Sequence, residues 1–129
     1  MNDSQYLQHC LHSWQHFADT FVQRTQALDE EAPLRLLALG CQQAGNNAHT
    51  LHDEGALLVT RLFTHFPEFA PTFPRALLWF LGSDCLHYLT DEEIILYQQL
   101  DKAREQAAER GEIIDFDAAR TRLQAASGN

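Results

Sequence analysis

The fold is decided by residues 74–101, which read PRALLWFLGSDCLHYLTDEEIILYQQLD. The segment ALLWFL near its start is apolar on every side of a helix, and a helix of that kind belongs inside a protein core. Thr90 followed by Glu93 matches a capping box, which begins a second helix. We therefore predict a central apolar helix over about residues 74–89, joined by a short turn to the next helix.

The rest of the chain repeats apolar residues at three- and four-residue steps, which is the spacing of one helix face. The clearest case is residues 4–28, where tryptophan and phenylalanine along the apolar stripe suit a globular bundle better than a two-stranded coiled coil. Sustained alternation of apolar and polar residues is absent, so we predict no significant strand. The predicted fold is all-α: a single helical domain over residues 1–129, forming a compact bundle of five to six helices, with residues 126–129 frayed.

Composition excludes two classes of function. The 129 residues carry 18 acidic and 9 basic side chains, for a formal net charge of −9, and the basic residues form no stripe. Nucleic-acid binding is therefore disfavoured. The longest nearly continuous apolar run has six residues, far below the roughly 18–20 that cross a bilayer. We expect an acidic protein that binds neither nucleic acid nor membrane.

The cysteines point to a reducing compartment. Cys10, Cys41 and Cys85 stand far apart, within helical apolar patterns, and form no C-x-x-C motif. An odd and sparse set of this kind is typical of reduced, buried thiols. The N-terminal residues also lack the positive and apolar regions of a secretory signal. We predict a cytoplasmic location.

The polar residues set into the predicted central helix form the first candidate site. Asp84 and His87 are one helical turn apart, and buried groups of this kind need partners. We expect them in or beside the main cleft, hydrogen-bonded to each other or to a neighbouring helix, as a structural pair, part of a ligand or partner pocket, or a catalytic pair. The preceding proline-rich loop contributes Phe69 and Phe73, which we expect to lie back on the core and to line that pocket.

A second candidate site lies near the start of the third predicted helix. His49 and His52 share a helix face, and Asp53 can add an oxygen ligand, so these three residues form a candidate metal site. The spacing departs from both the Glu-x-x-His pattern of helical di-metal proteins and the H-E-x-x-H pattern of metalloproteases.

None of these patterns specifies a reaction. The first functional hypothesis is a non-enzymatic protein–protein interaction or regulatory module without a cofactor, whose partner is another protein or a second copy of the chain, with dimerisation through the first helix. The alternative is a helical protein, with or without enzymatic activity, that binds a metal or small ligand through Asp84 and His87 together with His49 and His52.

Overall fold

The computed structural model describes residues 2–128, with side chains for residues 2–125. Six α-helices occur in this part of the chain: α1 (Asp3–Thr25), α2 (Pro33–Ala44), α3 (Ala48–His65), α4 (Arg75–Leu81), α5 (Asp91–Glu109) and α6 (Phe116–Gly128). Two short 3₁₀ helices, Pro67–Phe69 and Ser83–Tyr88, lie on either side of α4. The described residues contain no strand, so the all-α prediction is confirmed. Helix α6 extends to Gly128, while the side chains of residues 126–128 and all of residue 129 lie outside the described part, so the predicted fraying of residues 126–129 stays a prediction.

Helix α1 supplies one wall of the core. The Asn2 side chain accepts a hydrogen bond from the backbone of Gln5, and the Gln5 side chain accepts one from the backbone of Asn2, which closes a capping box at the helix start. The buried stripe of α1 follows the predicted three- and four-residue steps: Tyr6, Cys10, Trp14, Ala18, Phe21 and Thr25. This stripe packs against α2, α3 and α4 of the same chain. The apolar stripe of α1 is therefore already covered within one chain and does not support dimerisation through α1, which stays a prediction.

Trp14 fixes the contact between α1 and α2. Its ring is fully buried, and its Nε1–H donates a hydrogen bond of 2.8 Å to the carbonyl oxygen of Cys41. Gly45, just past the end of α2, leaves room for the ring, because a Cβ there would stand 2.9 Å from a Trp14 ring carbon. The backbone just past the end of α2 therefore lies close to α1 at Gly45, which has no side chain.

The prediction of one continuous helix over residues 74–89 is wrong. Helix α4 ends at Leu81, because Gly82 adopts φ +66° and Ser83 adopts φ 49°. Neither conformation continues a right-handed helix, and a residue with a Cβ rarely occupies that region. The chain then turns into the 3₁₀ helix, of which only Cys85 is buried. The central apolar helix is thus two short elements joined by a sharp break.

Arg75 ties the elements around this break together. Its Nε and Nη2 donate to the two carboxylate oxygens of Glu93, at 2.8 and 3.1 Å. The same guanidinium donates to the carbonyl oxygens of Ala70 and Tyr88. Glu93 also completes the predicted capping box with Thr90 at the start of α5. The hydrogen bonds from Arg75 hold the pKa of Glu93 below its usual range, so the carboxylate stays charged at this junction.

The three cysteines are free and buried, as predicted. Burial raises the pKa of the Cys10 and Cys41 thiols to about 12 and that of Cys85 to about 11, because the interior disfavours the thiolate. All three therefore act as small apolar core groups.

Every helix within residues 2–128 is too short or too polar to cross a lipid bilayer.

Candidate functional site

An apolar groove opens between the second half of α1, the start of α2 and the loop before α4. It encloses about 380 Å³. Its lining consists of three phenylalanines, a leucine, three threonines and an arginine: Phe17, Phe21, Phe69, Leu34, Thr20, Thr25, Thr72 and Arg24. We call this site the aromatic groove.

The walls of the aromatic groove are phenylalanine rings that pack on one another. The ring centroids of Phe21 and Phe69 are 5.4 Å apart, and those of Phe17 and Phe21 are 5.7 Å apart. Phe73 stands behind this wall, buried to 2% exposure, and meets Phe17 edge-on at 4.7 Å. The loop phenylalanines therefore lie back on the core as predicted: Phe69 lines the groove, and Phe73 supports it from below.

The polar groups at the groove differ in how they are paired. The Thr25 hydroxyl donates to the carbonyl oxygen of Phe21 at 2.9 Å, and Arg35 donates to the Thr25 hydroxyl and, at 2.7 Å, to the carbonyl oxygen of Val22. These bonds satisfy the last turn of α1. Arg24 is exposed at the groove, and its guanidinium has no hydrogen bond or ion pair with the described residues.

A second groove, of about 450 Å³, lies between the start of α1, α4 and α5. Its lining combines charged and aromatic groups: Asp3, Tyr6, Leu7, Trp79, Phe80, Asp101 and Arg104. We call it the polar groove. Trp79 and Phe80, although part of the apolar run in the sequence, are only partly buried here and do not form the centre of the core.

The charged groups of the polar groove are paired with one another. Arg104 donates to Asp3 at 3.0 Å and to Asp101 at 3.3 Å, and its Cζ lies 4.2 Å from the centroid of the Tyr6 ring. The second oxygen of Asp101 accepts a hydrogen bond of 3.1 Å from Trp79 Nε1–H. Sequence reasoning missed this cluster. The three-residue spacing of Asp101 and Arg104 was a local signal, whereas Asp3 is far away in the chain.

The family to which this sequence belongs is identified by a family model that matches residues 2–129. The chain belongs to the PA2817-like family. Comparison with curated proteins and with solved structures gave no match. The geometry of the chain itself is therefore the basis on which a function for this PA2817-like protein is proposed.

Asp84 and His87 do not form the predicted buried pair. Both side chains are exposed on the 3₁₀ helix of the PA2817-like chain, and within the described residues neither makes a hydrogen bond or ion pair. The expectation failed because it assumed a continuous buried helix, whereas the break at Gly82 turns this segment outward. Neither residue lines the aromatic groove or the polar groove. A ligand-binding role for Asp84 and His87 stays a prediction.

Of the predicted metal-binding residues, the structure joins two. His49 Nε2 lies 3.2 Å from an oxygen of Asp53 on α3, with both side chains more than half exposed. His52 does not join them, since residues 2–128 contain no group of three His, Cys, Asp or Glu side chains that could hold a metal ion. A two-residue pair on an exposed helix face is weaker than the three or four ligands that protein zinc sites use.

Proposed function

We propose that this protein is a non-enzymatic interaction module whose aromatic groove receives an apolar side chain from a protein partner. The observation that carries the proposal is the phenylalanine wall of this groove. Phe17 and Phe69 are partly exposed in it, Phe21 is buried, and the buried Phe73 ring packs behind Phe17. Pockets lined by rigid aromatic rings are the places where single side chains contribute most of the binding energy of an interface. Leu34 extends the apolar surface on the side of α2.

The chemistry of the groove favours binding over catalysis. Its polar groups are threonine hydroxyls and one guanidinium, and the hydroxyl of Thr25 is already held by backbone and Arg35. A nucleophile is activated by a base within hydrogen-bond reach, and the lining offers a guanidinium, which stays protonated, in place of a base. The three free and buried cysteines support a cytoplasmic setting for this module.

The test is site-specific photo-crosslinking in cells of the natural host. A benzoylphenylalanine at Thr72, an exposed groove residue, should capture a protein, and one at exposed Gln124 on α6 should not. The captured segment, made as a synthetic peptide, should then bind the purified protein in calorimetry. Crosslinking to the protein itself, together with a dimer in light scattering, would identify the partner as a second copy.

Two variants test whether the groove is responsible. Phe69→Ala removes part of the wall, and Thr72→Glu places bulk and negative charge at the groove while leaving the wall intact. Both should weaken peptide binding at least tenfold, whereas Leu57→Ala, which alters an exposed leucine on α3, should leave it unchanged. Equal capture from Thr72 and Gln124, or no capture from Thr72, contradicts the proposal.

A further inference from the structure

We infer that the aromatic groove selects an apolar side chain that stands next to a carboxylate, and that Arg24 binds this carboxylate. This inference rests on the proposed function of the groove. It follows from the state of Arg24, which lines the groove without an ionic partner among the described residues. In a chain with 18 carboxylates and 9 basic side chains, a guanidinium beside an aromatic wall is a conspicuous free binding group.

The position of Arg24 near the end of α1 determines which part of a bound ligand its guanidinium can contact. Phe21 and Phe17 come one and two helical turns before it, and all three side chains line the same groove. One turn corresponds to about 5 Å along the helix axis. An apolar group seated against this wall, on the groove side of the packed Phe21 and Phe69 rings, therefore places a neighbouring carboxylate within reach of the Arg24 side chain. The C-terminal residue of a partner protein, whose side chain and free carboxylate stand a few ångströms apart, has this shape.

Two features of the surroundings favour a single negative charge. Arg35 covers the carbonyl oxygen of Val22, so the end of α1 presents less open negative charge to an incoming anion. The chain as a whole has a formal charge of −9, and an acidic turn, Asp29–Glu31, follows α1 closely. A multiply charged phosphate is repelled more strongly by this field than a singly charged carboxylate, which the guanidinium fork can bind through two hydrogen bonds.

The experiment uses two probes that differ only at this group, N-acetyl-L-phenylalanine and its neutral amide. Each is titrated into the ¹⁵N-labelled full chain at low salt, and the amide signals of groove residues are followed by NMR. Both probes should shift signals such as those of Thr20 and Thr72. The carboxylate should bind roughly two- to fivefold more tightly, as expected for a partly exposed ion pair, and this preference should shrink at high salt.

Arg24→Gln should make the two probes bind equally, while Arg122→Gln, which alters an exposed cation on α6, should leave the preference unchanged. Equal binding of the two probes to the wild type, or a preference that survives Arg24→Gln, overturns the inference and leaves the proposed function standing. If neither probe shifts the groove signals, the proposed function fails, and the inference fails with it.

Discussion

The two grooves of this protein are similar in size but opposite in the state of their arginines. The polar groove, at about 450 Å³, contains more charged groups, yet Arg104 is held there by two carboxylates and an aromatic ring. The aromatic groove, at about 380 Å³, contains a single charged side chain, Arg24, which has no ionic partner among the described residues. The polar groove, which contains more charged groups, is therefore the one whose charged groups are already paired within the protein.

This difference shows that the residue types lining a cavity do not by themselves indicate a binding site. Removing one partner of a charge pair inside the protein is destabilising, and a ligand gains little from such a charge because the internal pair must first be broken. An unpaired charge beside apolar rings offers both orientation and binding energy. Substitutions in the two grooves should therefore affect different properties.

The largest expected effect comes from the ring behind the aromatic groove. Phe73→Ala should lower the free energy of unfolding by about 3–5 kcal/mol, because it leaves a cavity beneath Phe17 and Phe63. Urea denaturation measures this change, and Phe73→Leu, which retains most of the volume, should cost clearly less. A loss below about 1 kcal/mol would mean that the wall of the groove does not depend on this ring.

The second effect separates the grooves directly. Arg104→Gln should lower stability by roughly 1–3 kcal/mol, because Asp101 loses its charged donor in a partly buried site. Binding of N-acetyl-L-phenylalanine to the aromatic groove should be unaffected. Thermal denaturation and the NMR titration give the two readings on the same sample. An unchanged melting temperature would show that the ion pairs of the polar groove do not hold α1 to α5.

The smallest effect is expected at Arg24. Arg24→Gln should change the free energy of unfolding by no more than about 0.5 kcal/mol, since the exposed side chain makes no ionic contact within the described residues. Denaturant titration beside Arg104→Gln measures the contrast. If the two substitutions destabilise the protein equally, Arg24 has an internal role and the distinction between the grooves fails.

The features that the sequence predicted correctly depend on residues close together in the chain. The stripe of α1 and the capping box of Thr90 and Glu93 follow from local spacing, and both are present in the structure. The loop phenylalanines were predicted to lie on the core because they are apolar residues between prolines. In each case the prediction depends on the types and spacing of residues a few positions apart, and these can be read directly from the sequence.

The features that the sequence did not predict depend on tertiary contacts or on one backbone angle. Gly82 directly follows the six-residue apolar run and precedes Ser83 and Asp84, and this sequence does not show that its φ is positive. The different states of Arg24 and Arg104 also have no local signature. The distinction appears only when Asp3, 101 residues before Arg104, is brought next to it.

The buried thiols give this protein a set of internal reporters of its own motions. Cys10, Cys41 and Cys85 lie on α1, on α2 and just beyond the break after α4. A thiol that is both inaccessible and protonated at neutral pH reacts with an alkylating reagent only when its segment opens. Labelling rates at the three positions therefore measure the opening free energy of three different segments in the native chain, without any engineered probe.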